Sequence, residues 1–555
     1  MAFQLSPGVH VTETDLTNVI PSVATSIGAF VGVFQWGPVL DIQSVDYQGN
    51  LTKKFGKPNN DTATSFFSAA NFLDYGNQLR VVRVVGADSK NATADGVGIL
   101  IKNQTDYEFN FVDGSASVGE FAARYPGEMG NSIQIVMADK ATFASWEYAA
   151  NFPNSPNVGE TENDELHIII IDKLGKFTGT KGAILEKYSF LSKAFDSKST
   201  DGNSNYYKNV LNQSSQYVYW MDHTTAVTST GDAWGAPKDG TTFKDLTDPI
   251  DITLSGGVDD NTSGIDSILI EGWQLFTNPE NVEVNLLFTG EASATVSKFV
   301  IQNIAEVRKD CIAFVSPTRD VAVNNPDVLN AVIAWRQDSA FNVNSSYGAM
   351  DSGWKYQYDQ YNDVYRWVPL NADMAGLHAR TDDTNDAWWA AGGLNRGQIK
   401  NIVKLGWNPG QSDRDQLYQA GINPVTSFPG QGIVLFGNKT LLAKPSAFDR
   451  INVRRLFIVL EKAISRAARY TLFEFNDPFT RAQFKSMIEP YLRMVQGRRG
   501  ITKFMVECSE KNNDAYIVST NQFVADIFIQ PNYSAEFITL NFIAANNAAL
   551  FSEQG

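Results

Sequence analysis

Cysteine is nearly absent from this chain of 555 residues, which has only Cys311 and Cys508, 197 positions apart. Two distant cysteines exclude a disulfide framework and a cysteine-rich zinc module. Long apolar runs are also absent, since none approaches the roughly 20 residues of a membrane-spanning helix. The first residues show no basic segment followed by an apolar one, which a secretion signal would have. We therefore expect synthesis in a reducing cytosol and no direct membrane insertion.

Basic residues are too few for a general nucleic-acid binder. The 45 Lys and Arg residues are outnumbered by 61 Asp and Glu residues, which gives a net charge of −16. Affinity for a phosphate backbone comes from accumulated Lys and Arg. We therefore expect no nucleic-acid partner, although a local basic surface is compatible with this charge balance.

Catalytic and cofactor motifs are missing as well. A phosphate loop has four residues between its glycine and Gly-Lys-Ser/Thr, whereas six separate Gly49 from Gly56. There is no Gly-x-Ser-x-Gly elbow, and the four histidines share no metal-ligand spacing. The segment 259–264 (DDNTSG) begins like a calcium loop, but Ile270 stands where an acidic ligand is needed, so a capped turn is favoured. The sequence predicts no enzyme, no cofactor and no metal site.

The residues that are present favour a folded multidomain protein. The apolar fraction is 43% and the aromatic fraction 12%, too high for a largely disordered chain. At roughly 150 residues per domain, three or four domains are expected. The fold class predicted is mixed α/β and α+β. It combines an α/β core sheet with helices, an inserted β-rich outer domain, and extended N- and C-terminal arms.

The core is predicted to be interrupted by an insertion. Alternating strand and helix patterns argue for parallel strands covered by helices. Between them the chain is rich in Asn, Asp, Ser, Thr and Gly, with short strand-like runs. We predict a core domain of 21–86 plus 259–405 and an inserted, outward β-rich domain of 87–258. The core patterns are strands at 27–34, 79–85, 284–288 and 311–315 and helices at 62–75, 294–308 and 326–336.

The C-terminal part is predicted to form an inner domain, 406–532, with two marked helices. One spans about 450–470, and the other begins at Asn476-Asp477-Pro478, a cap followed by proline in the first turn. Strand-like runs follow at 522–529 and 536–543.

Both ends of the chain alternate apolar and polar residues with a period of two, as strands do. We predict an N-terminal arm, 1–20, and a C-terminal arm, 533–555. A lone edge strand gains hydrogen bonds by joining another chain's sheet, so these arms are predicted to contact neighbouring subunits. The residues predicted to do so are Val9, Val11, Ile538, Leu540 and Phe542.

A basic surface is predicted near the second half of the chain. Residues 450–503 contain 12 Lys or Arg and 4 Asp or Glu, a balance of +8 within an acidic chain. Several of the basic residues share one face of the first C-terminal helix, opposite an apolar arc. This face is either solvated surface or a contact with an acidic partner. The residues proposed for it are Arg455, Lys462, Arg466, Arg469, Arg498 and Arg499.

The densest aromatic segment is 353–369, GWKYQYDQYNDVYRWVP. Aromatic faces stack on sugars, so a glycan-binding or glycan-active protein is one interpretation of this segment. Packing at a domain or subunit junction is favoured, because the Asp, Arg and Tyr groups can satisfy one another.

These residues also carry a resemblance to a known family, the tail sheath proteins of contractile-tailed (myovirus-type) bacteriophages. The most specific stretches are KYQYDQYNDVYRWVPLNADMAGLHARTD (355–382), INPVTSFPGQGIVLFG (422–437) and FDRINVRRLF (448–457). Others follow in the expected order along nearly the whole chain, among them LSPGVHVTET (5–14), NFLDYGNQLRVVR (71–83) and FIQPNYSAEFITLNF (528–542).

The resemblance implies a structural, self-assembling subunit of a virion tail, made in the host cytoplasm. Family members form stacked hexameric rings around a tail tube, on a baseplate, and their arms link neighbours. Contraction drives the tube through the host envelope without consuming nucleotide. The partners implied are further copies of the chain, the tail tube protein, and baseplate and tail terminator proteins. The acidic partner of the basic face is then either the tube wall or a neighbouring subunit. The alternatives are a phage-derived contractile injection device and the glycan-directed virion protein above.

Overall fold

The structure is a computed structural model that describes residues 23–152, 163–224 and 234–540. The chain divides into two units. The large unit contains Ala24–Thr384 and Ala391–Ile451. The C-terminal unit contains Asn385–Ala390 and, within the described residues, Val23 and the chain from Asn452 onwards.

The strands of the described residues are, in chain order, β1 (Gly28–Gly32), β2 (Ile42–Val45), β3 (Leu79–Arg83), β4 (Phe121–Ala123), β5 (Ile133–Asp139), β6 (Glu165–Asp172), β7 (Ala183–Ser192), β8 (Val218–Trp220), β9 (Ile250–Thr253), β10 (Leu286–Phe288), β11 (Ile312–Val315), β12 (Gly348–Asp351), β13 (Trp354–Asp359), β14 (Val364–Pro369), β15 (Lys404–Leu405), β16 (Ile422–Asn423), β17 (Val425–Phe428), β18 (Gly432–Leu435), β19 (Ile501–Glu507) and β20 (Asp526–Pro531).

The α-helices are α1 (Gln48–Phe55), α2 (Ala63–Leu73), α3 (Gln104–Asn110), α4 (Tyr207–Ser214), α5 (Ile265–Gln274), α6 (Ala294–Phe299), α7 (Glu306–Arg308), α8 (Arg319–Ala322), α9 (Val328–Gln337), α10 (Asn371–Thr384), α11 (Gln411–Gln419), α12 (Ile451–Ala468), α13 (Pro478–Gly497) and α14 (Ala515–Ser519). A π-helical segment, Val300–Ala305, joins α6 to α7. The predicted helix 294–308 is therefore present but contains this wider turn.

A seven-stranded sheet forms the centre of the large unit. Its order is β16-β12-β11-β10-β1-β3-β2, and all neighbours are parallel except β2 and β3. Its central strands are buried on both faces, which explains their nearly continuous apolar sequences. One face packs against α2 and α10, and the other against α5, α9 and the helical segment 294–308. The strands before and after 87–258 thus belong to one sheet.

Residues 87–258 form sheets of their own. A four-stranded antiparallel sheet has the order β7-β6-β5-β9, and β4 pairs with β8. β6 is buried along its whole length, as expected of an inner strand. Separate apolar clusters fill this region. Its role as an outward inserted domain with these limits stays a prediction.

The two ends of this region lie side by side and are tied to the core sheet. The Gly86 amide donates to the Asp260 carbonyl at 2.7 Å. Arg83, at the end of β3, is buried and donates to the carbonyls of Phe34, Gly37 and Pro126 at 2.8 to 2.9 Å. Burial lowers the pKa of this guanidinium to about 10, against the opposing effect of Asp259. The insertion is therefore fixed to the sheet by buried polar contacts.

Helices α12 and α13 form the apolar core of the C-terminal unit with β19 and β20. Leu456, Leu460 and Ala467 of α12 pack in the same cluster as Ile488 and Leu492 of α13. The predicted N-cap of α13 is confirmed, because the Asp477 carboxylate accepts the Thr480 amide at 2.7 Å and Pro478 occupies the first turn. The predicted apolar arc of the first helix thus packs inward.

The predicted start of an inner C-terminal domain at 406 differs from the division in the structure. β16 pairs in parallel with β12 of the core sheet, and Ala391–Ile451 belongs to the large unit. Asn385–Ala390, predicted as core, belongs to the C-terminal unit. The cause is long-range strand pairing, which sequence periodicity does not reveal.

Candidate assembly surfaces

The C-terminal unit presents an open pair of strands. β19 and β20 run antiparallel, and their inner face, which includes Phe504, Val506, Ile527 and Ile529, packs on the helices. Within the described residues no third strand lies beside either of them. A two-stranded sheet has two edges whose amides and carbonyls are ready to pair with another chain.

The outer face of this strand pair is partly apolar. Met505 lies directly opposite Phe528 in the register, and both side chains are more than half exposed. Lys503 and Gln530 form the neighbouring pair on the same face. Exposed apolar groups beside an unpaired strand edge are typical of a surface that another segment covers.

The predicted C-terminal arm strand, 536–543, is not formed in its described part. Residues 532–540 carry no strand, and Ile538 and Leu540 are largely exposed. Val9, Val11 and Phe542 lie outside the described residues. Strand pairing of these arms between subunits therefore stays a prediction.

The predicted basic face requires a correction at Arg455. Its side chain is only 4% exposed, because the first two turns of α12 are buried almost all round. Lys462 and Arg466 are half-buried, and Arg469 is exposed just beyond the end of the helix. A helical wheel places residues on an arc but does not show that a helix end is enclosed.

Arg498 and Arg499 follow the end of α13 and are exposed. The Arg498 guanidinium contacts the Asp386 carboxylate at 2.7 Å and lies 5.9 Å from the centre of the Trp388 ring. Arg499 lies 5.4 Å from the centre of the Trp389 ring, with a left-handed φ of +66°. These two arginines therefore contact the segment 386–389 within the C-terminal unit.

The sequence interpretation missed an apolar loop between α12 and α13. Its apolar side chains are strongly exposed, and Phe473 has a left-handed φ of +69°. The signal was available, since five large apolar residues occur within ten positions around the junction of the two predicted helices, the last of them in the first turn of α13. They are Tyr470, Leu472, Phe473, Phe475 and Phe479.

The aromatic segment 353–369 forms a hairpin of β13 and β14, extended by β15. Side chains alternate across this sheet. Its outer surface is made of four rings and one ammonium group, which we call the aromatic face: Tyr356, Tyr358, Tyr365, Trp367 and Lys404.

The described residues contain neither a metal-ligand cluster nor a helix suited to span a membrane. No group of three or more His, Cys, Asp or Glu is placed to hold a metal ion in 23–152, 163–224 or 234–540. Over the same ranges, no helix combines the length and the apolar character needed to cross a membrane. At 259–264, Asp260 accepts the Ser263 amide at 3.0 Å ahead of α5, which agrees with the capped turn.

The fold is that of contractile sheath subunits. The chain superposes on the helical sheath of the anti-feeding prophage in its contracted state with a TM-score of 0.53, at 12% identity, over 98% of this chain and all of the other. Family models match residues 25–84 (tail sheath protein Gp18 domain III N-terminal region), 257–441 (phage tail sheath protein central domain) and 443–545 (phage tail sheath C-terminal domain).

Curated relatives are similar along the full length. The chain is 32% identical to the tail sheath protein of Enterobacteria phage T4 and 32% identical to that of Vibrio phage KVP40, in each case over 99% of both chains. The chain therefore belongs to the tail sheath proteins of contractile-tailed phages.

Proposed function

We propose that this chain assembles as stacked hexameric rings around a tail tube, on a baseplate, and contracts to drive the tube through the host envelope. Membership of the sheath family over 99% of the chain supports this role. Closed rings of identical subunits need contacts that each copy both offers and receives. The subunit acts as a structural part and not as an enzyme.

The observation that carries the proposal is the open strand pair β19–β20 together with an exposed apolar C-terminal segment. Strands from the N- and C-terminal arms of neighbouring copies add to its two edges. Each backbone hydrogen bond contributes about 0.5–1.5 kcal/mol net, and a covered Met505–Phe528 pair adds apolar burial. Many such contacts hold the lattice, yet subunits joined through extended arms can still rearrange.

Contraction uses free energy stored during assembly. The lattice is metastable, and its subunits gain buried contacts when they rearrange. No nucleotide site was predicted, and Gly49, part of the nearest phosphate-loop candidate, lies inside α1.

The subunit belongs to a phage tail and is made in the host cytoplasm. The relatives that share about a third of their residues with it are phage proteins, whereas the likeness to the anti-feeding prophage lies in the fold alone. Electron microscopy of native particles distinguishes a phage tail from a phage-derived injection device. A DNA-filled head on the tail supports the phage assignment, and headless particles support an injection device.

The test of strand addition compares two faces of the predicted N-terminal strand. Deletion of residues 1–18 should leave a folded protein that does not assemble into sheath tubes, as observed by electron microscopy. Val9→Lys with Val11→Lys should do the same, because the alternation of the sequence predicts that these two residues share one face of the strand. The matched control, His10→Lys with Thr12→Lys on the opposite face, should still form tubes. Normal tubes from the deletion variant would refute strand addition by this arm.

A further inference from the structure

The aromatic face is continuous, with the exposed Tyr358, Tyr365 and Lys404 beside the half-buried Tyr356 and Trp367. Tyr356 and Trp367 are cross-strand partners with ring centres 4.7 Å apart, and Tyr356 also stacks with Tyr365 at 5.5 Å. Tyr358 and Tyr365 are 47% and 51% exposed. Lys404 extends over the rings, 5.1 Å from Tyr356 and 5.6 Å from Trp367. Aromatic side chains with polar tips are the commonest centres of protein interfaces.

The opposite side of the hairpin holds this face rigid. Lys355 donates to Asp373 at 2.8 Å, and both side chains are fully buried. The buried Asn71 amide donates to Gln357 at 2.8 Å. Asp359 accepts the Arg366 guanidinium at 2.7 Å. Alternate residues of β13 are thus held by contacts on the buried side of the hairpin. The rings on its outer side therefore lose little conformational freedom when a partner covers them.

The arrangement of the rings does not suit a sugar. A glycan platform offers the flat faces of its rings to the ligand. Here the faces of Tyr356 and Tyr365 lie against each other at 21°, and the Lys404 ammonium occupies the space above Tyr356 and Trp367. The Tyr358 hydroxyl donates to Asp363 at 2.8 Å. Ring edges, hydroxyls and one cation remain for a partner, which is the chemistry of a protein contact.

We propose that the aromatic face is a docking surface for a second copy of this chain, which rests on the proposed self-assembly. Charge complementarity selects this occupant. The face carries the cation Lys404, which takes part in none of the ion pairs formed within the described residues, whereas acidic residues outnumber basic ones by 61 to 45 on every copy of the chain. A neighbouring copy therefore offers acidic groups to Lys404 while its side chains cover the ring edges.

The test uses the purified full chain without tail tubes. Tyr358→Ser with Tyr365→Ser, and separately Lys404→Glu, should raise the protein concentration needed for tube formation at least about tenfold, as expected for loss of an interface centre. The matched control is Phe109→Ser, an 86% exposed aromatic residue on α3, which should leave that concentration unchanged. Thermal melting of each variant should match that of the parent, because these side chains are exposed.

A second measurement identifies the occupant even if a variant folds poorly. A benzophenone amino acid in place of Tyr365 should, on illumination, crosslink two copies of the chain in tubes but not in dilute subunits. Normal assembly of the serine and glutamate variants, illuminated assemblies without crosslinks between two copies of the chain, or glycan binding that these variants abolish would each overturn the inference. Parent protein that forms no tubes would instead overturn the proposed function on which it rests.

Discussion

Asp351, at the carboxyl end of β12, is a fully buried acid. Its carboxylate accepts the Ser316 hydroxyl at 2.6 Å and the Gly353 amide at 2.9 Å. Burial is the largest influence and raises its pKa to about 8, although these two hydrogen bonds act in the opposite direction. Asp373 raises it further by charge repulsion. The folded chain therefore favours the protonated form at neutral pH.

Asp351→Asn should remove a loss of stability at alkaline pH. The pKa of Asp351 is higher in the folded chain than in the unfolded chain. The protonated carboxyl therefore contributes its full stabilisation of the folded state below about pH 4, and this contribution is lost as the pH rises through about 8. The asparagine variant should therefore be more stable than the parent at about pH 9, by on the order of 2 kcal/mol. Melting temperatures between about pH 5 and pH 9 check this, with the exposed Asp201→Asn as control. Parallel profiles for parent and Asp351→Asn would rule the account out.

Among the elements, the basic end of α12 gives the clearest test of charge. Arg469 is exposed beyond the helix, whereas Arg455 is buried. If this end meets an acidic partner, Arg469→Glu should weaken assembly on tail tubes, and the parent's assembly should weaken with salt. A single exposed pair contributes about 0–1 kcal/mol, so the effect depends on repetition around each ring.

The control for this charge reversal is Lys444→Glu, an exposed residue in the large unit. Sedimentation of sheath with purified tubes measures both variants at equal salt. We expect a reduced pelleted fraction for Arg469→Glu only. Equal pelleting of the two variants would mean that the basic end is solvated surface.

Periodicity predicted the elements whose polar and apolar sides follow burial. The patterns for α2, α13 and β11 correspond to helices and strands in the structure. The hairpin β13–β14 was not predicted, because its buried side is largely polar and its outer side is aromatic, the reverse of the usual pattern. Its buried side carries polar residues whose partners lie far away in sequence, such as Lys355 with Asp373 and Gln357 with Asn71. Sequence alternation cannot show which side is inward when polar groups are satisfied this way.

The candidate assembly surfaces were predictable to different degrees. Arg469 could be placed from helix periodicity, but the enclosure of Arg455 depends on packing around the start of α12. The open edges of β19–β20 follow from the absence of a third strand in the described residues. A single sequence can indicate a strand, but its number of neighbours is a property of the folded chain.

For the whole molecule, we expect that the insertion 87–258 can be deleted without unfolding the rest of the chain if one additional residue is substituted. Its ends are adjacent, since Gly86 bonds to Asp260, so a short Gly/Ser linker can join them. However, Trp36 is buried against Tyr125 and Phe177 of the insertion. Deletion alone should therefore expose an apolar ring and lower solubility, whereas deletion with Trp36→Ser should melt cooperatively.

Calorimetry of the two deletion variants checks this, with Trp36→Ser in the full chain as the control. That control should be destabilised by roughly 3–5 kcal/mol, because it leaves a cavity in the apolar cluster of the insertion. A molten product from the repaired deletion would show that the insertion and the core are one folding unit.

The central claim is that this chain forms a sheath that contracts without nucleotide. Cryo-electron microscopy of the protein assembled on tail tubes, in nucleotide-free buffer before and after a mild denaturant trigger, tests it most directly. We predict stacked six-subunit rings that become shorter and wider after the trigger, with density for arms beside β19 and β20. Absence of a tubular assembly, or shortening only after ATP is added, would contradict the account.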